Sequence, residues 1–373
     1  MNSRPHTRRR EIVYLGWQGN ANFGDELLYD AWKVALGRDL DITAPLTRGR
    51  YLVKSLTSYL GQLLQLRGAE RIVLLGGGTT IGFGTWAGHT ALARVMYRAA
   101  GVAIPGAGAA ERADAFLLAR QPHDWAAWRR MRNTALFGVR GPLTELECSQ
   151  QWQATGVIGD PALIYPRFAN LDRPEQANTI GLCLGSEGAS RFEVPTVVAG
   201  VQQVARELGA TITVFEVTAA DAPVTREVVR LLGGQARVVP FSGSVREMMH
   251  EIAACRAFVS ERLHGTVAAV SLGVAATPLS YASKCDDFWM SVTGERSPIR
   301  LDHSVDELAD AIRLSLDPKR QLRINDAVAE LQELLTASAG ILASWLAGGR
   351  STTDLLATDF DRVLQETPRA GVL

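Results

Sequence analysis

The feature of the sequence that most constrains its fold is a repeated alternation of short apolar runs with segments of helical periodicity. Runs such as Glu11–Gly16, Arg71–Leu75 and Ala135–Val139 are followed by glycine or polar residues and then by apolar residues at helical spacing. Alternation of buried strands with helices is typical of a parallel sheet covered by helices on both faces. We therefore predict an α/β chain of the doubly wound class.

The alternation occurs in two series, which a polar segment separates. This segment covers residues 166–178 and contains two prolines. At 373 residues the chain is also longer than one hydrophobic core usually organises. We predict an N-terminal domain over 11–165, a linker over 166–178, a C-terminal domain over 179–320 and a helical tail over 321–373. Two such domains would face each other with their strand ends across a cleft.

The charge balance argues against two classes of partner. The net charge is zero, from 39 acidic and 39 basic side chains. A protein whose main partner is a nucleic acid or an anionic membrane surface usually carries a basic excess. No apolar run reaches the roughly 18 residues that a membrane span requires. We therefore expect neither nucleic-acid binding nor an integral membrane segment.

The use of cysteine bears on the compartment. The four cysteines, at 148, 183, 255 and 285, are widely spaced and match no metal-binding or redox motif. Such a pattern is typical of free thiols in a reducing compartment. The first apolar run, Ile12–Leu15, is too short for the core of a signal peptide. We expect the protein to be cytoplasmic.

One stretch of the second series places charged residues at a strand end. The apolar run Ala257–Val259 reads as a buried strand, and Thr266–Leu272 reads as a buried helix. Between them lie Arg262 and His264. In open parallel sheets this turn lies at the carboxyl edge, where ligands bind, and the helix amides favour an anion. The two residues are thus candidate anion ligands, with a salt-bridged arginine and a capping histidine as the alternative.

Arg140 occupies the same kind of position in the first series. It follows the predicted strand Ala135–Val139 directly, and Pro142 suits the first turn of the helix that comes next. A second strand-end guanidinium is therefore expected at the edge of the N-terminal sheet.

Two glycine-rich loops follow predicted strands of the first series. The loop over 17–26 does not match the G-x-G-x-x-G spacing, which argues against a dinucleotide site. The second loop contains Gly77 and Gly78 within three consecutive glycines, whose backbone can approach a ligand and bind an anion. It lacks the Gly-Lys-Ser/Thr ending of a nucleotide P-loop. A site-lining turn is expected there, with an ordinary tight turn as the alternative.

Six short motifs, in order, connect the chain to a known family. They are Asn22-Phe-Gly-Asp25-Glu-Leu, Gly76-Gly-Gly78, Val139-Arg140-Gly-Pro-Leu-Thr, Gly159-Asp160-Pro161, Ser260-Glu-Arg262-Leu-His264-Gly and Tyr281-Ala-Ser-Lys284. With these motifs the chain resembles the polysaccharide pyruvyl transferase family over about residues 11–290. One departure is Ala282-Ser283, where family members often carry Asp-Pro.

The resemblance implies both a fold and a reaction. The fold is that of the GT-B glycosyltransferases, with the acceptor expected on the N-terminal domain and phosphoenolpyruvate on the C-terminal domain. The reaction moves the pyruvyl group of phosphoenolpyruvate onto two hydroxyls of one sugar, giving a cyclic ketal and phosphate. Acceptors belong to cell-surface polysaccharides or their lipid-linked precursors, which would bring the protein near a membrane surface. Phosphoenolpyruvate is a co-substrate, and the chemistry requires no cofactor and no metal.

Physical chemistry gives the matched residues roles in this reaction. Phosphoenolpyruvate carries a carboxylate and a phosphate, and Arg262 and Arg140 are expected to clamp them because guanidinium binds both groups bidentately. His264 is expected to be the general acid that protonates the methylene carbon. Asp25 is the candidate base for the acceptor hydroxyl, with an N-cap role as an equally weighted alternative.

The remaining candidates receive supporting roles. Lys284 is expected to add positive charge against phosphate, with a solvated lysine as the alternative. Glu261 is expected to orient Arg262 or a hydroxyl, and Asp160 is expected to be a turn residue. Further residues proposed to contact substrate are Asn22, Gly77 and Gly78, while stacking on a sugar is a minority expectation for Trp17 and Trp86, and surface roles are expected for His89 and His123.

Two other functions use the same sequence features. A GT-B-like glycosyltransferase with a nucleotide sugar as donor would need the same two domains and the same basic, glycine-rich cleft. A non-catalytic sugar- or anion-binding protein would need only the cleft. Release of a nucleotide diphosphate would identify the first, and tight binding without turnover would favour the second.

Overall fold

The computed structural model describes residues 9–46, 69–171, 174–186, 188–234 and 236–368. Its first half contains a parallel sheet with the strand order β2-β1-β3-β5-β4, and β6 also pairs with β5. The strands are β1 (Arg10–Leu15), β2 (Ile42–Thr43), β3 (Glu70–Leu75), β4 (Thr79–Ile81), β5 (Gly101–Ala109) and β6 (Thr134–Val139).

The second half contains another parallel sheet, with the order β11-β10-β7-β8-β9. Its strands are β7 (Thr179–Cys183), β8 (Thr211–Glu216), β9 (Arg237–Pro240), β10 (Ala257–Ser260) and β11 (Ala275–Pro278). The central strands β7 and β10 are buried along their whole length. Such continuous burial is expected of a parallel sheet with both faces covered, and it explains why these strands read as unbroken apolar runs.

Helices connect the strands of both sheets. In the first half they are α1 (Phe23–Ala35), α2 (Gly84–Met96), α3 (Ala115–Leu118), α4 (Trp125–Arg130), α5 (Pro142–Gln151) and α6 (Tyr165–Ala169). In the second half they are α7 (Val194–Leu208), α8 (Ala222–Leu231), α9 (Val245–Ala253), α10 (Leu263–Ser271), α11 (Ser283–Thr293), α12 (Val305–Ser315), α13 (Pro318–Leu346), α14 (Thr352–Leu356) and α15 (Phe360–Glu366). The predicted α/β class, with two doubly wound Rossmann-like domains, is confirmed.

The helical pattern predicted over Val305–Leu346 is divided into two helices. α12 and α13 are separate helices, since Asp317 caps α13 and Pro318 occupies its first position. Proline cannot continue a preceding helix because it lacks the amide hydrogen and its ring clashes with the previous turn. α13 then contacts α10 and α11 of the second half and β1 and β5 of the first. The tail therefore packs against both halves of the molecule.

Two elements begin earlier than the sequence pattern indicated. The sequence pattern predicts a helix over Leu92–Ala100, whereas α2 begins at Gly84 and ends at Met96. α10 begins at Leu263 rather than at Thr266, so that Arg262 is its N-cap residue and His264 lies in its first turn. The earlier start of α10 matters most, because it determines the direction of the side chains of Arg262 and His264.

Three further expectations differ from the structure or fall on residues that it does not describe. The pattern predicts a strand over Val102–Ile104, whereas β5 covers Gly101–Ala109, and the pattern does not predict α11. The expected linker is partly helical, since α6 covers Tyr165–Ala169 and packs on α1. The predicted helix over 52–66 lies outside the described residues. The exact domain boundaries stay a prediction.

The small residues of β5 explain why the predicted strand ends at Ile104. A Cβ atom on Gly108 would lie 2.4 Å from Cζ of Arg140, and one on Gly106 would lie 2.6 Å from the carbonyl oxygen of Gly159. The strand lacks side chains at these positions because other groups occupy the space. Close approach of this kind leaves no β-branched pattern to recognise. Among the helices described, none has the length and apolarity that a bilayer crossing requires.

Candidate active site

The two sheets enclose a cavity of about 330 Å³ at the carboxyl ends of their strands. Its walls include residues that directly follow β1, β3, β8, β10 and β11, together with the first turn of α1. Seven of the expected site residues line it: Asn22, Asp25, Gly77, Gly78, Arg262, His264 and Lys284. The cavity therefore gathers groups that are far apart in the sequence and that belong to both halves of the chain.

Asn22 begins α1 and ties it to the other half of the molecule. Its side-chain oxygen accepts a hydrogen bond from the amide of Gly24 at 3.0 Å. The amide of Phe23 donates to the carbonyl oxygen of Val217, also at 3.0 Å. Because Asn22 is the N-cap, the alternative role of Asp25 as a helix cap is wrong. Asp25 lies in the first turn and lines the cavity.

The carboxylate of Asp25 is held in a setting that favours its neutral form. Burial raises its pKa from 3.8 to about 6, and Glu26 adds to the increase. The positive charges of Lys284 and Arg262 oppose it. A carboxyl group with a pKa near neutrality can exchange a proton with a substrate hydroxyl at physiological pH.

The imidazole of His264 fills the space beside Gly24. A Cβ atom on Gly24 would lie 2.3 Å from Nδ1 of the histidine, so no larger residue fits there without displacing the ring. The first turns of α1 and α10 thus meet through this pair. Gly24 is required here because of space rather than because of an unusual backbone angle.

His264 faces a buried carboxylate that sequence analysis had assigned to a turn. Its Nε2 lies 3.7 Å from Oδ2 of Asp160, whose side chain is fully buried. Asp160 does cap a short 3-10 turn, Pro161–Ile164, by accepting the amide of Ala162 at 3.0 Å through Oδ1. Neither Nε2 nor Oδ2 has a hydrogen-bond partner among the described residues. Asp160 therefore caps a turn and also faces the histidine.

The protonation of His264 follows from its surroundings. Burial lowers its pKa below 6.5, the charges of Arg140 and Lys284 lower it further, and Asp160 opposes the decrease. The surroundings thus favour a neutral ring. Nε2 faces Asp160, and Nδ1 lies beside Gly24.

Arg262 is held by an acidic residue that the sequence did not single out. Its Nε donates to Oδ2 of Asp221 at 3.1 Å, and its Nη2 donates to Oδ1 of the same carboxylate. Asp221 is buried at the end of a 3-10 turn before α8. Two nitrogens of the guanidinium are therefore fixed by Asp221, and Nη1 is left for a ligand.

The expected role of Glu261 is wrong. Its carboxylate is fully buried and accepts the backbone amides of Gly185 at 2.9 Å and Arg191 at 2.8 Å. It does not line the cavity, and Asp221 rather than Glu261 orients Arg262. Glu261 instead fixes the loop that follows β7.

Arg140 lies behind the cavity wall, which corrects the expectation of a second guanidinium in contact with the donor. It is fully buried, and its Nε donates to Asp287 of α11 at 3.0 Å. Its Nη1 donates at 3.0 Å to Oγ1 of Thr79, a residue that does line the cavity. Asp287 also accepts the amide and the hydroxyl of Thr144. Arg140 therefore joins the two halves and acts on the cavity through Thr79 and through its charge.

Lys284 supplies a further positive charge at the cavity surface, which Arg262 and Arg120 also line. It lies in the first turn of α11, with its Nζ 5.0 Å from the ring centroid of Tyr281. Gly77 and Gly78 form the opposite turn, both with positive φ angles, of 129° and 74°. A Cβ atom on Gly77 would lie 2.8 Å from the side chain of Leu28. Because neither Gly77 nor Gly78 has a side chain, the backbone of this turn lies directly at the cavity.

The remaining candidates divide between the cavity and the layer behind it. Trp17 and Trp86 line the cavity, with 50% and 8% of their surface exposed. His89 and His123 do not line it, and their rings pack against Trp86 and Phe83 respectively. Within the described part of the chain, no group of three histidine, cysteine or acidic side chains is arranged to hold a metal ion.

Fold and cavity together define a two-domain α/β protein of GT-B-like architecture, with a polar cavity between the domains. The model of the polysaccharide pyruvyl transferase family matches residues 22–283, more than two thirds of the sequence. The chain therefore belongs to the polysaccharide pyruvyl transferase family, which is a family of transferases. A search of curated protein sequences finds no match.

Solved structures of similar fold have little sequence in common with this chain. A putative UDP-N-acetylglucosamine 2-epimerase from Listeria monocytogenes is 11% identical, with a TM-score of 0.60, and the match covers 93% of this chain and 98% of that one. The S. aureus MnaA co-structure with UDP is 11% identical, with a TM-score of 0.59 and coverage of 91% and 97%. The epimerase from Neisseria meningitidis bound to UDP-GlcNAc is 10% identical, with a TM-score of 0.56 and coverage of 91% and 100%. At this identity the similarity extends to the fold alone.

Proposed function

We propose that the protein transfers the pyruvyl group of phosphoenolpyruvate to two hydroxyls of a sugar, forming a cyclic ketal and releasing phosphate. The sugar belongs to a cell-surface polysaccharide or to its lipid-linked precursor. The family match supports the reaction class. One observation carries the proposal for this chain: Asp25, Arg262, His264 and Lys284 all line the same cavity between the domains.

The cationic groups of the cavity suit the two anionic groups of the donor. Nη1 of Arg262 and Nζ of Lys284 can each meet a carboxylate or a phosphate oxygen, and the Gly77-Gly78 turn offers backbone amides. The buried guanidinium of Arg140 adds a positive field without touching the ligand. The cavity lies near the lower end of the roughly 300–1,000 Å³ range of small-molecule sites.

The first chemical step adds a proton to the donor. His264 transfers it to the methylene carbon C3, which becomes a methyl group and leaves C2 electron-deficient. Bound phosphoenolpyruvate brings negative charge beside the ring and therefore raises the pKa of the histidine from its lowered value. Asp160 orients the ring and stabilises its charged form. Such proton transfer commonly contributes about 10²–10⁴-fold to the rate.

Two carbon–oxygen bonds then form in succession. The first sugar hydroxyl attacks C2 and gives its proton to Asp25. The second hydroxyl attacks the same carbon as the bond to phosphate breaks. Its proton leaves with the phosphate, and Asp25 returns its own proton to the neutral His264 through solvent. The sum is one ketal and one inorganic phosphate, with no further cofactor and no metal proposed.

The main alternative is transfer of a sugar from a nucleotide sugar. Two of the similar folds were solved with UDP or UDP-GlcNAc bound. Glycine-rich loops that bind a diphosphate do so through free backbone amides. In this chain Glu261 already occupies the amides of Gly185 and Arg191 in the loop after β7, so that these amides are not free for a diphosphate.

The thiols support a cytoplasmic site for the reaction. All four cysteines are buried and unpaired, which fits a reducing compartment, where phosphoenolpyruvate is also made.

A product analysis tests the proposed reaction. The protein is incubated with phosphoenolpyruvate labelled with carbon-13 at C2 and with a panel of sugar glycosides. We expect the label to appear in a quaternary ketal carbon of one glycoside, in equal amount to the phosphate released. Release of labelled free pyruvate alone would identify a hydrolase instead, and transfer of a sugar from added UDP-GlcNAc would establish the alternative.

A further inference from the structure

The helix α11, which carries Lys284, begins without a capping side chain of its own. Its N-cap residue is Ala282, which has no side-chain oxygen to accept one of the free amides at the start of a helix. Lys284 follows two residues later, in the first turn, and lines the cavity. The direction of this lysine therefore depends on what else holds the start of α11.

Asp114, from the first half of the chain, supplies the missing cap. Its Oδ2 accepts the amide of Ser283, the first residue of α11, at 2.6 Å. Its Oδ1 accepts the amide of Leu117 at 2.9 Å and thereby caps α3. One carboxylate, only 9% exposed, thus caps two helices that belong to different halves of the molecule. Its negative charge also suits the positive end of the α11 dipole.

Two further contacts hold the same two segments together. The amide of Glu111 donates to the hydroxyl of Ser283 at 3.1 Å. The ring of Phe116 packs edge-on against the ring of Tyr281, with 5.5 Å between their centroids. The bond from Asp114 is therefore part of a continuous contact between the halves rather than an isolated one.

Both helices that Asp114 caps contribute side chains to the cavity. α3 contributes Leu117, and α11 contributes Lys284, whose Nζ lies 5.0 Å from the ring centroid of Tyr281. The end of a helix frays when its free amides lack partners. The bond from Asp114 therefore keeps the first turn of α11, and with it Lys284, in place.

We propose that Asp114 is a positioning residue of the site, which holds the side chain of Lys284 at the cavity by capping α11 from the opposite half of the chain. Asp114 does not line this cavity and touches no substrate. The inference rests on the proposed function in one respect: that Lys284 binds an anionic group of phosphoenolpyruvate. The placement of Lys284 by Asp114 holds for any occupant of the cavity.

The reactivity of Lys284 toward a small acylating reagent tests the inference without any substrate. The reagent is sulfo-N-hydroxysuccinimide acetate, peptide mass spectrometry measures the modification rate of each lysine, and the exposed Lys319 is the internal reference. Asp114→Ala should raise the rate at Lys284 about fivefold, as expected from the loss of one helix cap. Asp124→Ala is the matched control, because Asp124 caps α4 through the amide of Ala127, also at 2.9 Å, but makes no bond to the second half among the described residues.

A second variant and a second measurement accompany this test. Asp114→Asn keeps the size of the side chain and one acceptor oxygen, so it should raise the rate at Lys284 in the same direction but by less. Asp114→Ala should also weaken phosphoenolpyruvate binding about fivefold in the wild type and not at all in a Lys284→Ala background, because it acts through this lysine.

The inference fails if Lys284 is modified at the same rate in the wild type, Asp114→Ala and Asp114→Asn, or if Asp124→Ala raises the rate equally. It also fails if Asp114→Ala weakens phosphoenolpyruvate binding by the same factor with and without Lys284. If phosphoenolpyruvate does not bind the wild type, the proposed donor is wrong, and the reactivity of Lys284 alone decides the inference.

Discussion

At the scale of single residues, the site depends on two acidic side chains that each hold a cationic partner. Asp160 faces Nε2 of His264, and Asp221 binds two nitrogens of Arg262. Both carboxylates are buried. They therefore determine which atom of each partner is left for a substrate. In this account Asp160 and Asp221 are positioning residues rather than catalytic ones.

Removing the charge of Asp160 should change the pH dependence of catalysis. Asp160→Asn keeps an oxygen for capping Ala162 but removes the negative charge that raises the pKa of His264. The charged, proton-donating form of the histidine is lost as pH rises through its pKa. The alkaline limb of kcat/KM should therefore move to lower pH, and kcat at neutral pH should fall at least about tenfold.

The pH profiles of the variant and the wild type provide the measurement, with phosphoenolpyruvate affinity as the control. An alkaline limb that stays in place while kcat falls would mean that Asp160 supports only the turn. Unchanged kcat would remove it from the mechanism.

Asp25 should be costly for stability as well as useful for catalysis. Its pKa in the folded protein is about 6, above the ordinary value of 3.8. Stability is therefore lost as pH rises from about 4 to about 6, where the unfolded chain ionises more readily than the folded one. Asp25→Asn should raise the thermal midpoint at about pH 7 and leave it unchanged at about pH 4, while abolishing turnover.

Thermal unfolding at the two pH values checks this prediction. An equal gain at both would show that ionisation of Asp25 is not the cause. Retained turnover in Asp25→Asn would show that another group accepts the hydroxyl proton.

At the scale of elements, the site depends on the close contact between the first turns of α1 and α10. Gly24→Ala should abolish most activity, because the added Cβ would lie 2.3 Å from Nδ1 of His264. Gly88→Ala in α2 is the matched control, since nothing lies within 4 Å of its added Cβ. It should stabilise the helix by about 0.5–1 kcal/mol and leave activity unchanged. Equal activity of the two variants would show that the contact with His264 is not required.

The sequence predicted those elements whose burial leaves an apolar pattern. β1, β3, β6 and β10 were recognised as apolar runs, each within a residue of its bounds. β5 beyond residue 104 was missed because its glycines and alanines make room for Arg140 and Pro161. Such close approach is a property of the folded molecule and leaves no periodicity in the sequence.

The site residues likewise divide into those that the sequence pattern reveals and those that only the folded structure reveals. Asp25, Arg262 and His264 were found because they directly follow strands or sit in recognisable motifs. Asp221 lies in an alanine-rich segment with no such signal, and it meets Arg262 only through the fold. Arg140 was identified by its position at a strand end, but its partner Asp287 is 147 residues away. The position of a residue at a sheet edge can be predicted from the sequence, whereas a partner that is distant in the chain cannot.

At the scale of the whole molecule, the buried pair of Arg140 and Asp287 joins the two domains beside the cavity. Both side chains are fully buried, and Asp287 also binds Thr144 at the start of α5. A Cβ atom on Gly141 would lie 2.0 Å from the carbonyl oxygen of Asp287. This part of the interface is therefore closely packed and fixes how the domains face each other.

Breaking the pair from either side should destabilise the protein. Arg140→Ala and Asp287→Ala each leave an uncompensated buried charge, which costs about 3–5 kcal/mol. The double variant should lose less than the sum of the two single losses, and urea unfolding of all four proteins measures the coupling. Additive losses would mean that the pair contributes no interaction energy. A loss of phosphoenolpyruvate affinity in Arg140→Ala without loss of stability would restore its role in the donor clamp.

In the proposed reaction the cavity between the domains binds phosphoenolpyruvate through Arg262 and Lys284. The most direct test is calorimetric titration of the protein with phosphoenolpyruvate, with UDP-GlcNAc as the comparison ligand. We predict binding of phosphoenolpyruvate alone, lost in Arg262→Ala and accompanied by uptake of a proton as His264 becomes charged. Binding of UDP-GlcNAc alone would contradict the claim, as would phosphoenolpyruvate binding that Arg262→Ala leaves unchanged.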